Sequence, residues 1–292
     1  MPADFSIDTD RARRAFDAAA DSYDEAAVLQ REVGGRLVGR LDYIRHQPRR
    51  VLDLGAGTGH VSELLLRRYR KADVCAVDFA PAMLEKARRR GGWRRRPRVV
   101  CADAASLPFA DASFDLLVSN LMLQWCLPLQ DYLAEMRRVA APNGLLMFST
   151  FGPDTLKELR LAWREVDGGR HVHEFIDMHD VGDSLLATGF SGPVMDMEMI
   201  TLTYREVLAL MRDLKSIGAV NADEGRQRGL LGRGGFRRLC DAYERFRDGA
   251  GLLPATYEVV YGHAWVPDVP PPSRLEEKFP LGVVASGERK VR

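Results

Sequence analysis

A glycine-rich turn directly after a short apolar run is the part of this sequence best suited to hold a ligand. Residues 51–59 read Val-Leu-Asp-Leu-Gly-Ala-Gly-Thr-Gly. Glycines allow a backbone to turn sharply and to approach a ligand without an intervening Cβ. The dinucleotide fingerprint GxGxxG would need a further glycine where His60 stands. The spacing therefore predicts a nucleotide-like ligand other than NAD.

Polar residues also follow the next three apolar runs. Asp78 ends the second run, Asp103 and Ala104 follow the third, and Asn120 follows the fourth. In an open α/β sheet, ligands bind beyond the carboxyl ends of the strands, at the point where the strand order reverses. We therefore expect these residues to share one crevice, in which the Asp78 carboxylate can accept hydrogen bonds from both hydroxyls of a ribose.

Three candidate residues also allow a purely structural interpretation. Asp53 could be a buried carboxylate that stabilises the turn, and Asp78 could cap the helix that Pro81 begins. Tyr23 lies on the apolar stripe of an N-terminal amphipathic helix, where it could belong to the core. Both interpretations stay open at the level of the sequence.

The crevice requires a parallel sheet, and the hydrophobic pattern predicts one. Between residues 50 and 150, short apolar runs alternate with helical patterns, which is typical of βαβ units. The expected strands are 50–54, 73–77, 98–101, 114–119 and 145–150, and the helices between them are 59–70, 81–90 and 128–140. Farther along, we expect helices through 156–166 and at 177–187, 204–218 and 234–247, and strands at 193–203 and 256–265.

These elements predict an α/β fold. We expect an open, mostly parallel, seven-stranded Rossmann-like sheet with helices on both faces and a helical insertion as a lid over the site. Residues 1–265 would form one domain, with an N-terminal lid helix at about 9–28 and helical insertions within 153–248. Residues 266–292 are rich in proline and charge, so we expect a flexible tail.

The glycine motif and the strand-end residues resemble those of class I methyltransferases, which use S-adenosylmethionine. The cofactor-binding residues that the resemblance implies are Tyr23, Asp53, Gly55, Ala56, Gly57, Asp78, Met83, Asp103, Ala104 and Asn120. Asp78 would bind the ribose, the glycine turn would lie along the methionine part, and Asp103 and Ala104 would meet the adenine beside Met83. Asn120 would lie at the mouth of the methyl-transfer site, and Tyr23 would cover the cofactor.

Longer segments narrow the resemblance to the malonyl-acyl-carrier-protein O-methyltransferases of biotin synthesis. The matching segments are residues 15–30, 119–126, 148–167, 214–226 and 256–265. This resemblance implies that S-adenosylmethionine methylates the free carboxylate of a malonyl thioester. The thioester would be carried by an acidic acyl carrier protein, and the ester would start pimeloyl synthesis for biotin.

A carboxylate acceptor needs alignment rather than a general base, because it is already ionised near neutral pH. Lys215 is our candidate partner for this anion. Its helical stripe contains Tyr204, Leu208, Met211 and Lys215, which places an ammonium on an apolar face. Lys215 could equally reach solvent from the end of that stripe. Arg170 and His171 compete for the role, and Gln124 is a fourth candidate for positioning the substrate.

Two other functions fit the same pattern. One is a methyltransferase of this fold that acts on a free small-molecule carboxylate. The other, implied by a mitochondrial branch of the resemblance, is an assembly factor or hydroxylase that keeps the cofactor pocket.

Composition sets the remaining expectations for this chain of 292 residues with a net charge of +1. No apolar run approaches the roughly 20 residues that span a bilayer, and the N-terminus lacks a signal-peptide stretch. We therefore expect a cytoplasmic protein without membrane contact. Cys75 and Cys101 fall in apolar strands, which predicts buried thiols. Because the histidines are scattered, we expect no metal site.

Two stretches are rich in arginine. The first is 88–98, and the second comprises Arg226, Arg228, Arg233, Arg237 and Arg238. Nucleic-acid binding would need interleaved aromatic residues, and only Trp93 lies there, so we expect no nucleic-acid partner. We predict that the second stretch docks the acidic carrier protein, although it could also simply solvate a helix.

Overall fold

The computed structural model describes residues 6–223 and 232–268. Its strands are β1 (Arg50–Leu54), β2 (Asp73–Asp78), β3 (Arg98–Cys101), β4 (Phe114–Asn120), β5 (Ala140–Phe151), β6 (Ser191–Tyr204) and β7 (Leu253–Trp265). Its helices are α1 (Thr9–Ala19), α2 (Tyr23–Ala26), α3 (Val28–Arg40), α4 (His60–Arg68), α5 (Pro81–Ala87), α6 (Leu129–Val139), α7 (Lys157–Val166), α8 (Met178–Ala187), α9 (Val207–Ser216) and α10 (Arg233–Glu244). Arg226, Arg228 and residues 269–292 lie outside the described part.

The seven strands form one open sheet in the order β3-β2-β1-β4-β5-β7-β6. Strands β1 to β5 pair in parallel, whereas β7 runs antiparallel to both β5 and β6. The predicted fold class, an open and mostly parallel sheet, is therefore confirmed. The strand order reverses between β1 and β4, so the crevice that such sheets use for ligands opens at Leu54 and Asn120.

Helices cover both faces of the sheet, because side chains alternate between two cores along each buried strand. Val51 of β1 packs in a core that includes residues of α3, α4 and α7. Its neighbours Leu52 and Leu54 pack in a second core, with residues of α6 and α8. No helix in the described part of the chain is long and apolar enough to cross a membrane.

The N-terminal region differs from the single helix expected at 9–28. Helix α1 ends at Ala19, and a turn at Asp21 and Ser22 separates it from the short helix α2. The Ser22 hydroxyl bonds the carbonyl oxygen of Ala19 at 3.2 Å and that of Ser216 at 3.0 Å. A distant segment thus contacts the chain at the break, and the periodicity within 9–28 does not reveal that contact.

Helix α3 was not predicted, because three glycines lower its intrinsic helix propensity. The tertiary structure explains one of them. A Cβ on Gly34 would lie 2.9 Å from Cγ2 of Val61 and 3.3 Å from the amide nitrogen of Asn120. A glycine therefore lets α3 pack closely against the end of β4, beside the predicted ligand crevice.

Two smaller expectations were wrong. Tyr204 is the last residue of β6 and not part of α9, which begins at Val207. Cys101 is exposed, whereas Cys75 and Cys126 are buried. Strand β3 lies at the edge of the sheet, so its apolar run does not guarantee burial on both faces.

Candidate active site

Beyond the carboxyl ends of β1, β2, β3 and β4 lies a cleft with about 740 Å³ of empty space, and a smaller pocket adjoins it. All ten residues that the sequence predicted for cofactor binding line one or both of them. The cleft contains Asp78, Met83, Asp103 and Ala104, and the smaller pocket contains Asp53 and Ala56. Gly55, Gly57, Tyr23 and Asn120 line both. We call the two together the nucleotide cleft.

The glycine turn between β1 and α4 explains how the cleft stays open. Gly55, Gly57 and Gly59 all have positive φ angles, which glycine adopts without strain. A Cβ on Gly55 would lie 2.6 Å from Cγ of Met122, and one on Gly59 would lie 2.8 Å from Cα of Ala87. A Cβ on Gly57 would meet no atom within 4 Å. The space beside Gly57 therefore belongs to the cleft and suits a ligand that touches the backbone.

Asp78 lies 7% exposed at the end of β2. Its Oδ2 accepts a hydrogen bond from the Gly57 amide at 2.8 Å, and its Oδ1 accepts one from the Ala80 amide at 2.9 Å. Burial raises the pKa of Asp78 to about 6, against the lowering effect of these two amides. The carboxylate thus joins the glycine turn to the start of α5 and also faces the cleft. The capping and ligand interpretations of Asp78 are compatible.

Asp53 is the most deeply buried acid of the cleft. Its Oδ2 accepts a hydrogen bond from the Ser62 hydroxyl, and its Oδ1 has no partner among the described residues. Burial, together with the negative charge of Asp78, raises the pKa of Asp53 to about 7. An unpartnered buried oxygen is costly unless a donor reaches it. The ammonium group of S-adenosylmethionine would be such a donor, so this residue fits the predicted ligand.

Part of the lining of the cleft is apolar and suits a flat aromatic base. Met83, Ala104, Cys126 and Tyr132 are all buried, and all four line the cleft. Asp103 is exposed, and its Oδ1 accepts a hydrogen bond from the Ala105 amide at 2.9 Å, which fixes the carboxylate at the rim.

The N-terminal helices close the cleft from above. Phe16 of α1 and Tyr23 of α2 line it. The Ala82 amide donates to the Asp17 carboxylate at 2.9 Å, and the Thr58 hydroxyl donates to Asp24 at 2.6 Å. Burial and the nearby charges of Asp78 and Asp24 raise the pKa of Tyr23, so its hydroxyl keeps its proton. Helices α1 and α2 thus lie beside the cleft, in the region where the sequence predicted a lid, and Tyr23 is the first residue of α2.

A larger cavity, with about 1760 Å³ of empty space, adjoins the nucleotide cleft. We call it the acceptor cavity. Most of its lining is apolar or aromatic and comes from α7, α9 and the segments at 171–175 and 217–221. Phe16, Tyr23, Gln30, Leu121 and Trp125 line both this cavity and the nucleotide cleft. The two spaces therefore meet at these five residues, and the geometry suits a group transfer between two ligands at that point.

The four predicted substrate-positioning residues differ in whether they line the acceptor cavity and in the partners that they contact. Lys215 lines the acceptor cavity together with Leu208 and Met211, as its helical stripe predicted. It forms no ion pair within the part of the chain that the structure describes. Gln124 also lines the cavity, but its amide nitrogen donates to the Leu121 carbonyl at 2.7 Å.

The two competing candidates have other partners. His171 lines the cavity, stacks on Trp163 with ring centroids 3.7 Å apart, and lies 2.9 Å from the Asp167 carboxylate. Arg170 is not among the residues that line the cavity, and its guanidinium lies 3.9 Å from the buried Asp223 carboxylate. These contacts favour Lys215 as the cation that faces an acceptor.

Sequence reasoning missed Arg212, a second cation of the acceptor cavity. It lies three residues before Lys215 on α9 and four after Leu208, so the same helical stripe would have found it. The sequence analysis also assigned no role in the site to Phe16 and Trp125. Their rings pack edge to face with centroids 5.4 Å apart, and this contact joins the lid to the segment after β4.

Comparisons with known proteins agree with this geometry. A family model described as a methyltransferase domain matches residues 52–148. The chain is 59% identical over 261 residues to the malonyl-acyl-carrier-protein O-methyltransferase of Halorhodospira halophila, which covers 89% of this chain and 88% of the relative. It is 53% identical over 281 residues to a relative of the same name from Laribacter hongkongensis, which covers 94% of each.

One solved structure, that of the YcgJ protein from Bacillus subtilis, aligns with a TM-score of 0.57 at 16% identity. The alignment covers 80% of this chain and 100% of that protein. At this identity the similarity concerns the fold alone.

Proposed function

The chain belongs to the malonyl-acyl-carrier-protein O-methyltransferase family, and we propose that it esterifies the free carboxylate of a malonyl thioester held by an acyl carrier protein. The methyl donor is S-adenosylmethionine. The observation that carries the proposal is the meeting of the nucleotide cleft with a large, mostly apolar cavity that contains Lys215 and Arg212. As the family resemblance implies, the ester would start pimeloyl synthesis for biotin.

When bound, S-adenosylmethionine supplies an electrophilic methyl group on a positively charged sulfur. The acceptor carboxylate is ionised near neutral pH, so it can attack without first losing a proton to the enzyme. One carboxylate oxygen forms a bond to the methyl carbon as the bond from that carbon to sulfur breaks, and the sulfur becomes a neutral thioether. No proton moves in this step.

The residues of this chain therefore act by alignment and by exclusion of water. Asp78 and the glycine turn would hold the donor, and Phe16 and Tyr23, which line the same cleft, would cover it. Leu121 and Trp125 form the walls where the two spaces meet. Because most of the acceptor cavity is apolar, charges inside it are poorly screened, and a carboxylate there needs a nearby cation.

Lys215 and Arg212 are the cations that we assign to the acceptor carboxylate. Both lie on the cavity side of α9, one helical turn apart, so that they can hold the anion from one face. A lysine ammonium on a flexible stem can bind one carboxylate oxygen and leave the other free to attack.

We expect Lys215→Ala to lower kcat/KM for the malonyl carrier by about 10- to 100-fold, the range for losing a charged hydrogen bond. Lys215→Arg should keep most of the activity. The affinity for S-adenosylmethionine, measured by calorimetry, should not change. Lys71→Ala is the matched control, because this exposed lysine lines neither space. An unchanged kcat/KM in Lys215→Ala would contradict the assignment of Lys215 to the acceptor carboxylate.

The function itself can be tested by mass spectrometry. Purified protein and S-adenosylmethionine are incubated with malonyl-carrier protein, acetyl-carrier protein, malonyl-coenzyme A or free malonate. We expect the malonyl carrier to gain the mass of one methylene and the acetyl carrier, which has no free carboxylate, to gain none. Faster methylation of free malonate would favour the small-molecule alternative. Cofactor binding with no methyl transfer to any of the four would favour an assembly factor.

The cytoplasmic location and the absence of a metal, a nucleic acid and a membrane partner stay predictions. Among the described residues, no group of three or more His, Cys, Asp or Glu is arranged to hold a metal ion. The direct test is activity in a chelator: we expect full turnover, and loss that a divalent ion restores would contradict the proposed metal-free reaction.

A further inference from the structure

Leu121, the first residue after β4, has an unusual backbone conformation. Its φ angle is 51°, in the left-handed region that side chains other than glycine rarely adopt. Leu121 is buried, and its side chain lines both the nucleotide cleft and the acceptor cavity. Such strain persists only where the surroundings enforce it, and it is concentrated at functional sites. The structure must therefore contain groups that hold this residue.

Ser149 of β5 is the principal residue that holds the backbone of Leu121. Its hydroxyl oxygen accepts a hydrogen bond from the Leu121 amide at 3.1 Å, and its carbonyl oxygen accepts from the same amide at 3.0 Å. The hydroxyl proton is donated to Oδ1 of Asn120 at 2.9 Å. Ser149 is fully buried, so water does not compete for these bonds.

Further bonds fix the other side of the same segment. The Gln124 amide donates to the Leu121 carbonyl at 2.7 Å, and the Thr150 hydroxyl lies 3.4 Å from Oε1 of Gln124. The Asn120 amide donates to the carbonyl oxygen of Gln30 on α3 at 3.1 Å. Both the amide and the carbonyl of Leu121 are therefore tied, and the residue cannot relax to an ordinary φ angle without breaking one of these bonds.

We propose that Ser149 is a positioning residue for methyl transfer, a proposal that rests on the function given above. Ser149 lines neither the cleft nor the cavity, so it acts through Asn120 and Leu121 and not by touching a substrate. Its hydroxyl holds the Leu121 side chain as a wall at the point where donor and acceptor meet. The attacking oxygen, the methyl carbon and the sulfur must lie in one line, and this wall helps to align the two ligands. A misplacement of a reacting group by about 1 Å can lower the rate about a hundredfold.

The test compares Ser149→Ala with Ser119→Ala. Ser119 is the matched control, because it is also fully buried in the sheet and its hydroxyl has no partner among the described residues. We expect Ser149→Ala to lower kcat by roughly 10- to 100-fold, with KM for S-adenosylmethionine and for the malonyl carrier within about twofold. Ser119→Ala should keep its kcat. Equal kcat in both variants, or a change confined to KM, would overturn the proposal.

A second variant tests the route through Leu121. Asparagine has nearly the shape of leucine and adopts positive φ angles more readily. Ser149→Ala should therefore lower kcat by a smaller factor in a Leu121→Asn background than in the native chain. The same factor in both backgrounds would mean that Ser149 does not act through the strained backbone.

Hydrogen exchange gives a readout that does not depend on the acceptor. Ser149→Ala should accelerate exchange of the Leu121 amide, and Ser119→Ala should not. Unaltered exchange in Ser149→Ala would overturn the proposal whatever substrate the enzyme uses. Conversely, if the native protein leaves the malonyl carrier unmethylated while Leu121 exchange responds as expected, the proposed function fails and the holding role of Ser149 stands.

Discussion

Asp53 and Asp78 stand at the ends of neighbouring strands, and both are buried carboxyls of the same cleft. Burial raises the pKa of both carboxyls, and the negative charge of Asp78 raises that of Asp53 further. Only some of their oxygens have protein donors. A ligand that brings a positive charge and hydroxyl donors would relieve both problems, which is a physical reason for a cationic nucleoside at this position.

The raised pKa of Asp78 gives binding of S-adenosylmethionine a pH dependence. In the proposed site, ribose hydroxyls would donate to the ionised carboxylate of Asp78. Because its pKa is raised to about 6, the carboxyl is protonated below this pH and must lose its proton before it can accept both bonds. We expect the affinity to fall by up to about tenfold for each pH unit below about 6. The effect on folding has the opposite sign: the ligand-free protein loses stability as the pH rises from 3.8 to about 6.

Calorimetry between about pH 5 and pH 8 measures this dependence. Asp78→Asn should flatten it, and Asp78→Ala should weaken binding by about 2–3 kcal/mol near neutral pH, the range for charge-assisted hydrogen bonds. Native affinity in Asp78→Ala would show that the carboxylate only joins the glycine turn to α5.

Residues at strand ends could be predicted well from the sequence, for a simple reason. Parallel strands place their carboxyl ends along one edge, so the chain order of Asp53, Asp78, Asp103 and Asn120 already implies proximity. Contacts between distant segments could not be predicted. The pairing of Arg170 with Asp223 and the stacking of His171 on Trp163 both depend on how the insertions fold over β5.

Among the helices and strands, the sheet could likewise be predicted from local sequence patterns, whereas the N-terminal helices could not. Apart from the edge strand β3, the parallel strands are largely buried, and the apolar runs marked all five to within a residue or two, except for the early start of β5 at Ala140. The residues added there include Asn143, whose φ angle is 58°, and Gly144, so the pattern predicted a loop. Helices α1 and α2 are partly exposed, and Ser22, where the chain breaks between them, bonds to Ser216, far away in the chain.

An ion pair and hydrogen bonds connect α2 to the glycine turn. Asp24 of α2 accepts hydrogen bonds from the Thr58 hydroxyl and from the guanidinium of Arg90, and Arg90 also donates to the Thr58 carbonyl at 2.9 Å. Thr58 belongs to the turn that lines the nucleotide cleft. We therefore expect the position of α2 and the shape of the glycine turn to be coupled through these three residues.

We expect Arg90→Gln to speed dissociation of S-adenosylmethionine by roughly two- to fivefold, because a partly exposed ion pair contributes at most about 1 kcal/mol. Stopped-flow fluorescence of bound ligand chased by excess unlabelled ligand measures the rate. Arg247→Gln is the control, since Arg247 forms a comparably exposed pair with Glu244, and neither residue lines the nucleotide cleft. Equal dissociation rates in the two variants would mean that the pair does not hold the lid.

For the whole molecule, the distribution of arginines bears on where a carrier protein docks. In the stretch 88–98, Arg88 and Arg89 pair with Glu85, and Arg95 donates to three carbonyl oxygens at the end of α4 and just beyond it. Many of the arginines in this stretch therefore already have partners within the protein. In contrast, Arg233, Arg237 and Arg238 are exposed on α10 and form no ion pair with any residue that the structure describes.

Helix α10 also lies where a docked carrier protein would be near the acceptor cavity. It packs against α7, whose Leu159 and Trp163 line the acceptor cavity, so its exposed face lies behind a wall of that cavity. Arg226 and Arg228, the other members of the predicted docking face, lie outside the described residues. We therefore keep Arg233, Arg237 and Arg238 as the docking face for an acidic carrier protein.

Charges at the rim of an interface act mainly on the association rate and on its response to salt. Reversing Arg237 and Arg238 to glutamate should raise KM for the malonyl carrier several-fold and flatten its dependence on ionic strength. The affinity for S-adenosylmethionine should not change, because neither residue lines the nucleotide cleft. The control reverses Arg88 and Arg89, where we expect a native KM and a native salt response. If this control shifts KM while the α10 variant does not, the carrier docks beside α5, and the acceptor must then reach the methyl-transfer point from the lid side.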